Sequence, residues 1–198
     1  GSGGTGIEWT PNMLPDGLAM KVHWSPNAAG SNNNDKASSG SGSASSYDVT
    51  LELGESITGM SGLNIYGGIA NVESKGDNYD GDREEQTIGA TYAMGGFTLG
   101  YQWSEQDLGT SASEQQYDNE GYGITFAIND DLSIGYNHYE SDKDAATDVT
   151  TEASSFQVAY TMGGASFRLY EGEVDNGSYQ TTAAYDRKAT VLSVALAF

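Results

Sequence analysis

The sequence has 198 residues, enough for one domain with a sizeable core, and sets 28 Asp and Glu against 8 Lys and Arg for a net charge of −20. That balance repels phosphate backbones and argues against a nucleic-acid partner. Cysteine is absent, which excludes disulfide frameworks, thiolate metal sites and cysteine nucleophiles, and no apolar run approaches the roughly 18 residues of a membrane helix.

Alternation with period two recurs along the chain, the mark of strands with two chemically different faces. After a weak candidate at Thr5–Thr10, closed by Pro11, the pattern predicts strands over Gly17–Ser25, Tyr47–Gly54, Leu63–Glu73, Glu85–Met94 and Phe97–Gln106. It continues over Asn119–Ile128, Leu132–Ser141, Glu152–Met162, Ala165–Val174 and Asp186–Phe198. Short connections, with the di-glycines Gly95-Gly96 and Gly163-Gly164 supplying positive φ, alternate with long ones. Antiparallel strands reverse at each connection, so all tight turns gather at one end of the sheet and all long loops at the other. The Gly-, Ser- and Asn-rich stretch 26–46 reads as a long mobile external loop.

One parity is apolar throughout, for example Leu18, Met20, Val22 and Trp24, then Phe97, Leu99, Tyr101 and Trp103, and none of its chosen positions is charged. The other parity carries Lys21, His23, Glu52, Gln102, Gln157, Arg168 and Arg187 among Gly, Ala, Ser and Thr. A soluble sandwich would alternate too. Strands of about nine to eleven residues match a tilted bilayer crossing, whereas globular strands average about five or six. Aromatics are expected to form two girdles, with Phe97, Phe126, Phe156 and Phe198 toward the tight turns and Trp24, Trp103 and Tyr136 toward the loops. The prediction is an all-β fold: a transmembrane, antiparallel, up-and-down β-barrel of which this chain supplies 10 or 11 strands, residues 1–198 forming a single domain. Gly1–Gly6 hold no initiator Met and no targeting stretch, so the sequence is expected to start downstream of any export signal and to be incomplete at its N-terminus.

The final run Thr190–Phe198 alternates apolar and small residues and ends on an aromatic, which resembles the C-terminal strand of Gram-negative outer-membrane proteins. The hairpin sequences Gly95-Gly96-Phe97-Thr98-Leu99-Gly100-Tyr101 and Asp131-Leu132-Ser133-Ile134-Gly135-Tyr136 are similar to those of general diffusion porins of the alphaproteobacterial type. The resemblance implies a homotrimer of 16-stranded barrels in the outer membrane, with this chain as its C-terminal portion, and a passive pore for small hydrophilic solutes and ions. It implies long loops outside, the C-terminus on the periplasmic side, Phe198 as the signal read by the barrel-assembly machinery, and lipopolysaccharide and outer-membrane lipids as partners. The inward-folded constriction loop of that family would lie just upstream of this chain.

Inside a water-filled barrel, Glu8, Lys21, His23, Glu52, Gln102, Gln157, Arg168 and Arg187 are the candidate lining, sorting solutes by charge. Solvated wall residues paired across strands are the plainer reading. The acidic loops are expected to make the outer mouth negative and to enrich cations. Asp77, Asp80 and Asp82 offer a candidate calcium site at spacings unlike those of an EF-hand, beside the reading as a solvated acidic loop. No other cofactor is expected. His23 and His138 are the only imidazoles, and no Gly-x-Ser-x-Gly elbow occurs, which weighs against an enzyme. His138 falls at the apolar parity near the loop side, where an amphipathic ring suits lipid headgroups. Two alternatives stand beside the pore: a non-conducting barrel serving as adhesin or anchor, and an outer-membrane lipolytic enzyme using His138.

Overall fold

A computed structural model describes residues 6–26, 43–74, 81–110, 116–144 and 148–196. Among these residues, eleven strands form one antiparallel sheet in strict sequence order. They are β1 (Ile7–Trp9), β2 (Leu18–Ser25), β3 (Ser43–Leu53), β4 (Leu63–Ser74), β5 (Arg83–Met94) and β6 (Phe97–Asp107). The series ends with β7 (Gln116–Ala127), β8 (Leu132–Lys143), β9 (Val149–Met162), β10 (Ala165–Asp175) and β11 (Arg187–Leu196). One helical turn, α1 (Glu55–Thr58), sits between β3 and β4. The tight turns use Gly95 at φ 59° and Gly163 at φ 58°, left-handed positions that a side chain disfavours.

The register carries the predicted alternation from strand to strand. Leu18 faces Leu53, Met20 faces Leu51 and Val22 faces Val49, while Leu99 faces Ile124 and Ile134 faces Val158. This apolar face is exposed: Leu51 retains 45% of its accessible surface and Ile124 retains 40%. Val72 is the one buried hydrophobic residue among those described, so there is no dry interior between packed layers. The sheet hollows on its polar face, where two cavities of about 560 and 360 Å³ lie. Greasy side chains point outward and hydrophilic ones inward, as a lipid-facing wall requires.

Several expectations are corrected. Strands extend further at the loop end than alternation indicated, so that β3 starts at Ser43 and takes in residues 43–46 of the predicted loop, β7 starts at Gln116, and β8 runs to Lys143. The rest of that loop falls largely outside the described residues. Phe156 and Tyr136, assigned to opposite girdles, are direct partners in one mid-strand row. Phe97 and Phe126 do stack at the tight-turn end, with centroids 4.2 Å apart.

Candidate functional site

The polar face is built from rows of directly opposed residues. One row runs Gly68, Thr87, Ser104, Asn119, Ser141 and Thr151 across β4 to β9; below it run Tyr66, Gly89, Gln102, Gly121, Tyr139 and Ala153; below that, Asn64, Thr91, Gly100, Gly123, Asn137 and Ser155. None of these side chains is charged. Charge lies around this neutral field: Glu8, His23, Asp48 and Glu85 toward the loops, Lys21 and Glu52 on β2 and β3, and Arg168 near the tight turns.

Of the predicted lining, Glu52, Gln102 and Arg187 share one row. Glu52 accepts from Asn64 Nδ2 at 2.9 Å. Arg187 turns back onto the carbonyl oxygens of Ala184 and Asp186, so its guanidinium, still exposed, is engaged by its own connection. His23 is on the polar face but 9% exposed, its Nδ1 3.0 Å from Asp48 Oδ2 and its ring against the backbone of Gly6. It is a packed wall group and not an open lining residue. Gln157 reaches Asn137 Oδ1 and Ser155 Oγ, both at 3.4 Å. Lys21 and Arg168 sit on the same face, on β2 and β10.

The connection after β10 folds inward across this wall. Tyr179 places its hydroxyl 2.7 Å from Ser141 Oγ, its ring 5.6 Å from the ring of Tyr117, and Lys143 Nζ lies 5.8 Å from both ring centroids. Thr151 Oγ1 donates to Asn176 O at 2.8 Å and accepts from Tyr179 N at 3.2 Å. Asn176, Ser178 and Tyr179 all adopt left-handed φ, between 53° and 58°. Such a backbone is disfavoured for residues with a side chain and is retained where its surroundings hold it. The wall thereby carries an inward projection that alternation could not reveal, since residues 176–186 have no periodicity; Tyr179 and its seat, Tyr117 and Ser141, were not among the predicted residues.

The carboxylates separate by face. Glu84, Glu105 and Asp107 on β5 and β6, Asp118, Glu120, Glu140, Asp142 and Glu152 on β7 to β9, and Glu171, Glu173 and Asp175 on β10 all share the outward parity, above the apolar belt. The one Lys or Arg at that parity among the described strand residues is Lys188, paired with Glu173. Much of the strands' negative charge therefore lies at the outward parity, toward the loop ends of the strands. His138 lies on this outer face, with its ring 5.1 Å from that of Tyr122 and Nε2 2.7 Å from Glu140 Oε1. His138, Glu140 and Glu152 have ligand atoms within 4.8 Å of one another. The calcium candidates Asp77 and Asp80 lie outside the described residues, as does Phe198; Asp82 Oδ2 accepts from Asn71 Nδ2 at 3.4 Å.

Comparison with known proteins places this arrangement. A family model described as Gram-negative porin matches residues 2–172. Among solved structures, OmpF of Salmonella typhi in complex with daunomycin superposes with a TM-score of 0.67 at 14% identity, over 96% of this chain and 60% of that one. A porin refined at 1.8 Å gives 0.63 at 15% identity, over 94% and 59%. Outer-membrane expressed OmpT of Vibrio cholerae gives 0.58 at 12% identity, over 86% and 54%. The chain thus spans about three-fifths of the length of the first two and somewhat more than half of the third. No curated protein matches.

Proposed function

The chain belongs to the Gram-negative porin family, and from that premise we propose that it forms the wall of a passive outer-membrane pore through which small hydrophilic solutes and ions diffuse down their gradients. The observation that carries this reading is the pairing of faces: an outward belt without charge from Phe97 to Trp103, backed by an inward wall of hydroxyls, amides and glycine. The belt suits hydrocarbon, where a basic residue at the midplane costs about 2–4 kcal/mol. The wall suits water. No covalent step is needed, because size and the local field of the wall do the sorting.

Lys21, Arg168, Glu8 and Glu52 are the wall charges proposed to bias ions, with Gln102 and Gln157 as neutral lining. The long connections face outside and the tight turns face the periplasm in this reading, with a homotrimer as the assembly and Phe198 as the assembly signal. The outward carboxylates above the belt are suited to divalent cations that bridge to lipopolysaccharide phosphates, and Asp77, Asp80 and Asp82 are proposed as a further calcium-binding group on a loop.

Planar-bilayer recording on the full chain tests the proposal. Stepwise, ohmic openings are the expected result; a membrane-inserted protein with no conductance would favour the anchor reading instead. The lipolytic alternative draws little from the geometry: Ser154 stands opposite His138, but Nε2 of the ring is taken by Glu140 and, among the described residues, no hydrogen bond joins the imidazole to that serine.

A further inference from the structure

We infer that the inner wall carries a binding subsite for an uncharged, polyhydroxylated solute of the saccharide class, held between Tyr66 and Tyr139. The inference deepens the pore reading and rests on it.

The observation behind it is a pair of tyrosines, each directly opposite a glycine of the neighbouring strand. Tyr66 faces Gly89, and Tyr139 faces Gly121. With no side chain opposite, each ring lies down along the wall. A Cβ on Gly89 would fall 2.5 Å from both Tyr66 Cζ and its hydroxyl, so the ring covers that glycine. A Cβ on Gly121 would lie 3.6 Å from Tyr139 Cδ2.

From β4 and β8 the two side chains lean toward each other over β6 and β7. Tyr66 donates to Gln102 Oε1 at 3.1 Å and Tyr139 donates to Asn119 Oδ1 at 2.6 Å. Between them lies a hollow of about 360 Å³ floored by Gly100, Gly121 and Gly123. That volume falls in the range of small-molecule sites, about 300–1,000 Å³.

The chemistry of the hollow selects the class of ligand. A charged solute finds no counter-charge among the residues that line the hollow, which include no Asp, Glu, Lys or Arg, and Glu52, opposite Tyr66, is engaged by Asn64 Nδ2. An apolar solute would have to strip water from amides and hydroxyls without replacing their hydrogen bonds. A sugar ring meets both demands. Its C–H faces lie against the flat aromatic surfaces, and its hydroxyls bond to groups whose capacity is not spent within the wall. Gln102 has its carbonyl oxygen engaged by Tyr66, which leaves Nε2 as a donor; the phenolic oxygens have used their protons on Gln102 and Asn119, which leaves them as acceptors.

If the rings only shield the glycines, a sugar will not notice them. The test is titration of the full chain in detergent with maltotriose, followed by intrinsic fluorescence and calorimetry, with a polyethylene glycol of similar mass as control. Saturable binding in the millimolar range is expected for maltotriose alone. Tyr139→Ala should weaken it about three- to tenfold, the loss of one stacking face. Gly100→Val is an independent probe: a Cβ there meets nothing nearer than Thr91 Cγ2 at 3.9 Å, so the valine fits the strand and fills the floor. It should reduce binding at least tenfold with the far-UV circular dichroism unchanged. Equal response to maltotriose and the polymer, or equal binding by wild type and Gly100→Val, overturns the subsite. Bilayer current is recorded in parallel: conductance without saturable binding sinks the subsite and leaves the pore standing, whereas binding lost in the variants without conductance keeps the subsite and sinks the pore.

Discussion

Tyr179 and Ser141 share a 2.7 Å hydrogen bond across 38 residues of sequence, tying the connection between the last two strands to the polar wall at the loop end of β8. Ser141 Oγ also donates to Asn119 Oδ1 at 2.6 Å, so with one proton to give, the bond to Tyr179 is made by the phenol donating to the serine. The direction matters, because Tyr179→Phe removes the donor and leaves the ring contacts.

The first prediction follows from that seat. Thr151→Val deletes two of the hydrogen bonds that hold the left-handed segment 176–179, at a cost of about 1 kcal/mol each. The inward projection should then detach, and single-channel conductance should rise; Tyr179→Phe should produce a smaller increase in the same direction. Unchanged conductance in both would show that the projection does not narrow the passage.

The outer belt gives the second. Val158 pairs with Ile134 on one side and Leu169 on the other, deep within the apolar face. Val158→Arg should destabilise the membrane-inserted protein by about 2–4 kcal/mol, read from urea titrations of folding into lipid vesicles. The same change at Gln157, one residue away on the wall, should cost less than half as much.

Arg168 supports the third. It sits on the polar face between Ala159 and Ser193, with no charged residue directly opposite. Arg168→Gln removes a positive charge from the wall, so the reversal potential in a salt gradient should move toward greater cation preference. A shift toward anions, or none, would remove Arg168 from the conducting path.

A fourth concerns the carboxylates above the belt. Glu120, Glu140 and Glu152 stand directly opposite one another on three successive strands, and like charges so placed repel. Chelation of divalent cations should lower the thermal transition in membranes containing lipopolysaccharide. Replacing Glu120 and Glu152 by Gln should remove most of that sensitivity.

The sheet was legible because lipid on one side and water on the other impose period two on every strand, and because two-residue turns need glycine at Gly95 and Gly163. Legibility faded where that contrast ends. At Gln116–Asp118 and Asp142–Lys143 both faces are polar, so backbone pairing continues without an alternating signal. Tyr136 and Phe156 were misplaced for a different reason: counting from a strand's end does not give height when strands are staggered, and only the pairing shows that they share a row. The inward connection was unreadable, because its position depends on contacts such as Tyr179 with Ser141 that join distant parts of the chain. The hollow between Tyr66 and Tyr139 had a partial signal, tyrosine at the polar parity, but the opposing glycines emerge only once strands are in register.

Glu105, Glu120 and Glu140 begin where Trp103, Tyr122 and His138 stop, with one step of the pleat separating aromatic from acid. So abrupt a boundary acts as a waterline. Were the protein to settle deeper by the rise of two residues, about 7 Å along a strand, acids would enter hydrocarbon together on several strands. A bilayer of the wrong thickness must therefore deform around the protein, for the protein is not free to bob.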